Sequence, residues 1–313
     1  MPPPFHSLEN PFEPPKKRLQ DDAELIGKFL GREAEEEMRK IMAKEKRKPD
    51  VAEPDWTPIR LSDKEKARIE ALNTPLMKQE AATLSAFFGE SVTVPPLPRE
   101  ITPERMKNWE AMGFELHYLP PIDMTEDADF PGWEKKPNPW FYKEIAAGRI
   151  AKDATMLPGA WVLVDGRQKP SYAKGAQQMY DHDPLAPVLE DLNHRGLISQ
   201  TMSDGTTKLD PQSRFGLSPA DFTKPEVMNA FAKALDLKPG QASLTETIVW
   251  NVLANIHYPE WGTTDTHEWQ KETLGSGLRL MSGYSDDGGA SNVRWDDRPG
   301  GRVGFRPLGR FSP

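Results

Sequence analysis

The sequence contains no cysteine. That absence removes disulfide frameworks, thiolate metal sites and cysteine nucleophiles together. No apolar run approaches the roughly 18 residues a membrane span needs, and the opening MPPPFHSLEN does not read as a signal peptide. No membrane insertion is therefore expected, and the location is read as cytoplasmic or left unassigned. Basic side chains are outnumbered 40 to 48, for a formal net charge of −8, which favours solubility and argues against a dedicated nucleic-acid binder. Phosphate loops are also lacking, because the glycine-rich stretches at 283–289 and 300–304 do not lead into a helix carrying Lys-Ser or Lys-Thr. What is present is a chain of 313 residues with 37% hydrophobic residues, enough for a real core, and with 28% charged residues and 31 prolines that keep some segments outside it.

The first 20 residues carry six prolines and then Lys16-Lys17-Arg18, which predicts an extended, flexible arm. Residues 21–114 read as a helical N-terminal region interrupted by a proline-rich linker. Its first helix carries a narrow stripe of Leu25, Phe29, Leu30, Met38, Ile41 and Met42, suited to docking on a partner surface. Ser62 and Glu65 have capping-box spacing before a second helix, and Pro75 is expected to interrupt or restart it. The run Val94 to Pro98 must be extended, and Thr102-Pro103-Glu104 has the cap and first-turn proline of a short helix.

Residues 115–313 read as one α+β domain with two helices on a small antiparallel sheet and long loops. Phe114 to Leu119 alternates as a strand, and Ala160 to Val164 followed by Asp165-Gly166 is the cleanest strand and turn. Ser218-Pro219-Ala220-Asp221 predicts a helix start, with Val227, Phe231 and Leu235 four apart on one face. Ser243 and Glu246 predict the cap of the next helix, and Tyr258 to Gly262 a rigid aromatic loop. The glycine-rich end favours loops around short strands at Leu278–Met281 and Val303–Arg306.

The order of Leu217–Leu235, Ser243-Leu244-Thr245-Glu246 with Trp250, Tyr258-Pro259-Glu260-Trp261-Gly262, Glu268-Trp269, Leu278 to Gly283 and Val303-Gly304-Phe305-Arg306 resembles the formylglycine-generating, sulfatase-modifying-factor version of the C-type-lectin fold. The resemblance covers about 90 residues and implies a lectin-like domain in which Trp250, Trp261, Trp269 and Arg306 are structural. Formylglycine chemistry uses a cysteine pair on copper, and no other side chain supplies the soft thiolate for Cu(I), so that activity is excluded here. The related sulfoxide synthases hold iron with several histidines, partly from an N-terminal helical domain, whereas this chain offers only His6 and His117 before residue 120. Retroelement-diversified ligand-binding proteins use the same fold without catalytic residues, and the resemblance is carried furthest toward that non-catalytic branch.

The expected contact surface is therefore the C-terminal loop set of Tyr284, Asp286, Asp287, Asn292, Arg294, Trp295, Asp297 and Arg298. Tyrosine and tryptophan give large contacts at modest entropy cost, and arginine gives directional donors. The expected partner is a protein or a small ligand. Calcium at the acidic 285–289 and 295–298 stretches competes with simple pairing to nearby arginines, and no other cofactor is expected. His257 and His267 flank the Trp261 loop and, with Glu260 or Asp265, could hold zinc or iron, against a bland reading as hydrogen-bonded or surface histidines. Two alternatives to a binding domain remain: a metal-dependent enzyme of the same superfamily, and a structural subunit of an assembly.

Overall fold

The computed structural model describes residues 62–171, 180–275, 277–285 and 288–311. The chain divides into two compact units, Met1–Arg60 and Leu61–Pro313. The proline-rich arm and the apolar stripe of residues 25–42 lie outside the described residues, as do Asp286 and Asp287.

Fourteen elements follow in chain order among the described residues: α1 Asp63–Phe88, α2 Pro103–Ala111, β1 Phe114–Leu119, α3 Pro139–Ala146, β2 Ala160–Asp165, α4 Ala186–His194, α5 Pro225–Ala234, β3 Ala242–Leu244, α6 Thr247–Ile256, β4 His267–Leu274, β5 Leu278–Ser282, β6 Val293–Asp296, β7 Val303–Phe305 and β8 Pro307–Phe311. None of these helices is long and apolar enough to cross a membrane. The mixed α+β class is as expected, but the single antiparallel sheet is corrected to two four-stranded sheets. The first has the order β1-β2-β8-β3 and is antiparallel throughout. The second has the order β6-β5-β4-β7, and its β4–β7 pair is parallel. That parallel pair arises because the chain leaves β6 on one edge and re-enters beyond β4 on the other.

Local chemistry accounts for most element starts. Thr102 accepts from Arg105 N at 3.3 Å and Pro103 fills the first turn of α2. Asp221 accepts from Ser218 N at 3.0 Å, closing the expected capping box, but it starts a short 3₁₀ helix over Pro219–Thr223. Pro225 then restarts the chain as α5, which buries Val227 and Phe231. The cap expected at Ser243 is also corrected. Ala242–Leu244 pair with β8, and the first turn of α6 is held by Glu272, whose carboxylate accepts from Thr247 N at 2.9 Å and Thr247 Oγ1 at 2.8 Å. A neighbouring strand edge outcompetes the local cap.

Pro75 lies inside α1 without ending it. Proline removes one helical hydrogen bond, and the helix survives because its last turns bury Leu84, Phe87 and Phe88 in the core. Residues 121–150 contain α3 and bury Trp133, whose Nε1 donates to Asn251 Oδ1 at 2.7 Å.

Near its end the chain crosses directly from the second sheet to the first through one residue. β7 ends at Phe305 and β8 begins at Pro307, so Arg306 carries the chain from one sheet to the other. It is 1% exposed. Its Nη2 and Nε donate to Glu268 of β4 at 2.8 and 3.2 Å, and its Nη1 donates to the carbonyls of Arg167, at 3.0 Å, and of Asp165. Its guanidinium also lies 4.0 Å from the centre of the Trp261 ring. Trp250, Trp261 and Trp269 are all buried beside this crossing, with Trp250 Nε1 donating to Glu268 at 2.7 Å and Trp269 Nε1 to Leu217 O at 3.1 Å.

Candidate metal centre

β1 is an edge strand, and its period of two places Glu115 and His117 on one face. An edge strand leaves backbone groups without a ladder partner. Here Glu80, from the second half of α1, fills that role: its Oε2 accepts from Tyr118 N at 3.1 Å, while Oε1 lies 3.1 Å from His117 Nδ1. The backbone contact fixes the carboxylate against the imidazole. Glu80 and His117 are both buried.

The third member comes from the end of α6. His257 caps that helix, with its N–H bonded to Leu253 O at 2.8 Å. Its ring stacks on His117 with centroids 3.8 Å apart and planes at 28°. Next in sequence, Tyr258 stacks flat on Trp261 at 4.4 Å, which holds its hydroxyl 2.6 Å from His117 Nε2 and 3.0 Å from Glu115 Oε2.

The proton inventory follows from these contacts. A phenol has one proton, and Tyr258 donates it to Glu115, so the hydroxyl accepts from His117 Nε2–H. Nδ1 faces a carboxylate and is also a donor. Burial opposes a charge on His117, but bonds to Glu115 and Glu80 outweigh burial and raise its pKa, which favours the imidazolium. Glu115 is held below the usual carboxylate range by the His117 and Tyr258 bonds. Burial and the His117 charge push His257 down to about 4, so its imidazole is neutral and keeps a free lone pair.

Glu80, His117 and His257 each bring one ligand atom within 4.8 Å of the others. Two ligands bonded to one ion at about 2.1 Å sit roughly 3.0–3.4 Å apart, and the Glu80–His117 separation of 3.1 Å matches that spacing. An ion would take the place of the His117 Nδ1 proton. Nε2, Tyr258 and Glu115 then form the outer hydrogen-bonded chain that commonly orients a ligating histidine. Two imidazoles with one carboxylate suit zinc or iron(II), whereas calcium prefers six to eight oxygens. A pocket of about 310 Å³ reaches Glu80 and His117 past Leu76, Met106 and Glu110.

His257 and His267, weighed as a possible zinc or iron pair against hydrogen-bonded or surface histidines, do not come together. His267 stacks on Tyr284 at 4.9 Å, and burial holds its pKa down to about 3, while His257 turns to His117. Among the described residues, the one group of three or more potential ligands is Glu80, His117 and His257. None gathers at the 295–298 stretch, where Asp296 accepts from Asp297 N and Arg298 N of its own turn. Of the loop residues singled out, Arg294, Trp295, Asp297 and Arg298 are exposed on β6 and the turn after it. Tyr284 is half-buried with its hydroxyl accepting from Arg302 at 3.1 Å, and Asn292 is buried. The sequence reading missed Glu80 and the role of His117. The one available signal was Glu115-x-His117 on a strand face; nothing distinguished Glu80 from the other acids of its helix.

Comparison with protein-family models, curated proteins and solved structures found no match.

Proposed function

We propose that this protein is a metal-dependent enzyme whose ion is held by Glu80, His117 and His257 on a sulfatase-modifying-factor-like, C-type-lectin-like scaffold. The observation that carries the reading is the convergence of these three buried or half-buried donors from α1, β1 and the end of α6. The ordered motifs from Leu217 to Arg306 support the scaffold. Copper-dependent formylglycine formation is excluded, since the chain has no cysteine. A divalent ion bound here would supply a Lewis acid able to polarise a bound water or substrate oxygen. Glu80, His117 and His257 would hold it, while Tyr258 and Glu115 orient His117. Calcium is disfavoured by the donor set.

Calorimetric titration with Zn²⁺, Fe²⁺ and Ca²⁺, together with metal analysis after dialysis, tests the centre. One equivalent of zinc or iron is expected, with binding lost in His257→Ala and His117→Ala while both variants keep their far-UV spectrum. Wild-type binding no stronger than that of His257→Ala would overturn the proposal.

A second reading, binding of a protein or small ligand without catalysis, is supported by Trp295, which is 47% exposed on the edge strand β6 beside Trp140 in an open groove. A folded Arg294, Trp295, Arg298 triple-alanine variant that recovers the same partners as wild type would remove it. Service as a structural subunit of an assembly rests on the sequence of residues 21–50 alone.

A further inference from the structure

Among the described residues, β6 is the sheet edge that stands open. On the first sheet, Glu80 accepts from Tyr118 N of β1, and β3 is only three residues long. On the second, Val303 O of β7 accepts from Gly216 N at 3.2 Å. β6 is covered only at its start, where the side chain of Asn138 donates to Val293 O at 3.0 Å. Beyond that point Arg294 and Trp295 are exposed. A groove of about 570 Å³ lies there, lined by Trp140 and by both faces of the strand, Val293 and Trp295 on one and Arg294 and Asp296 on the other. Lining from both faces places the groove along the outer edge of β6, where a further strand would run.

The ladder fixes which backbone groups face that edge. β6 pairs antiparallel with β5, with Arg294 opposite Met281 and Asp296 opposite Arg279. Gly283 N donates to Asn292 O at 3.4 Å, on the β5 side. Bonding direction alternates along a strand, so Arg294 and Asp296 also turn their N–H and C=O toward β5, and Val293 and Trp295 turn theirs outward. The bond from Asn138 to Val293 O has that outward direction. Trp295 therefore presents one donor and one acceptor on the open edge, neither with a partner among the described residues.

A second copy of the same strand meets these conditions in one register. With a two-fold axis at Trp295, each Trp295 N–H reaches the C=O of the partner's Trp295, and Arg294 stands opposite the partner's Asp296 at both flanking positions. Those positions are the closer, non-hydrogen-bonded kind, where opposite charges attract across a ladder. Centring the axis on Arg294 would oppose two arginines and meet Asn138 at Val293. Centring it on Asp296 would oppose two aspartates and bring inward-turned backbone groups together. Arg294-Trp295-Asp296 is thus self-complementary about its middle residue alone. We infer that β6 is a homodimer contact, two copies joining edge to edge so that their four-stranded sheets form one of eight strands. The contact is independent of the histidine centre; it rests on the second reading above, that this surface binds, and names the partner as another copy of the chain. Three residues a side make a small interface, so the association belongs to the weak, reversible class.

Sedimentation velocity of the full chain between about 1 and 500 μM tests the contact. The weight-average mass is expected to rise with concentration from the monomer value toward twice that value. Arg294→Glu and Asp296→Arg each put like charges at both flanking positions, and each is expected to weaken dimerisation about tenfold or more. An equimolar mixture of the two variants restores opposite charges at both positions and is expected to recover the dimer. Asp296 also accepts from Asp297 N and Arg298 N, so a third variant guards against a loosened turn. Trp295→Pro removes an outward N–H at a position where an edge strand tolerates proline, and a folded monomer is expected from it. The inference is overturned if the wild type stays monomeric throughout, if any single variant dimerises as the wild type does, or if the mixture dimerises no better than its components. A monomeric wild type that still loses partners in the triple-alanine pull-down would overturn this inference and leave the second reading standing.

Discussion

Replacing Arg306 with alanine removes the side chain that fastens the two sheets where the chain crosses between them. Four hydrogen bonds are lost, two to Glu268 and one each to the carbonyls of Asp165 and Arg167. Glu268 is left 2% exposed with Trp250 Nε1 as its remaining bonded neighbour and Lys169 as the nearby charge. Stripping one partner from a buried pair costs about 3–5 kcal/mol, which in a domain of this size lowers Tm by roughly 6–20 °C. Arg310 is the internal comparison. It lies on β8, is 34% exposed and pairs with Glu246 at the surface of a cavity. Its loss is expected to cost about 1 kcal/mol or less. Urea denaturation followed by circular dichroism measures both. A double variant Arg306→Met, Glu268→Leu separates the causes, since an apolar pair of similar volume recovers most of the loss when the damage comes from the stranded carboxylate. Equal midpoints for Arg306→Ala and Arg310→Ala would refute the reasoning.

Acid titration of stability should carry the signature of Asp165. Burial raises its pKa, but Arg214, Arg167 and Arg306 outweigh burial and hold it at about 2. A depressed carboxylate stabilises above its unfolded pKa near 3.9, and about 2–3 kcal/mol is lost as pH falls from roughly 4 through 2; denaturation curves at pH 5, 3 and 2 should follow that fall, and Asp165→Asn should flatten it. Gly262→Ala places a Cβ 2.5 Å from Ala290 N and 3.1 Å from Gly289 C, both backbone, and should cost about 1–3 kcal/mol, whereas Gly300→Ala, with an ordinary 3.7 Å contact, should leave Tm within a degree or two. Pro75→Ala restores a helical hydrogen bond in α1 and is expected to raise stability by roughly 1–3 kcal/mol; an unchanged midpoint would mean that the helix is already locally compensated.

Elements whose signal is local were legible in the sequence. β1 alternates, β2 is an apolar run closed by Asp165-Gly166, and α2 has a threonine cap with proline behind it. Those features act within a few residues. β3 and β8 were not legible, because three to five residues become strands only when the other is present to complete the ladder. The same competition defeated Ser243 as a cap. Pro75 misled for the opposite reason: its local penalty is real, and distant burial of Leu84 and Phe88 overrides it. The candidate centre was the least visible feature. Glu80 and His117 are 37 positions apart and His117 and Tyr258 are 141 apart, so no spacing along the chain relates them. Only the fold, by setting α1 against an edge strand and ending α6 nearby, brings them together.

The central place of β8 also has a consequence for biosynthesis. β2 waits for its inner neighbour until Leu308 emerges, about 140 residues after Val164, and at 5–20 residues per second that delay is roughly 7–30 s. Through that interval the nascent chain presents the open edge of Trp161-Val162-Leu163-Val164, an apolar segment suited to intermolecular pairing. Ribosome-associated chaperones would find their target there. A product released before Pro307 could not close the first sheet, so premature termination near the end of synthesis should yield substrate for proteolysis rather than a shortened, partly working protein.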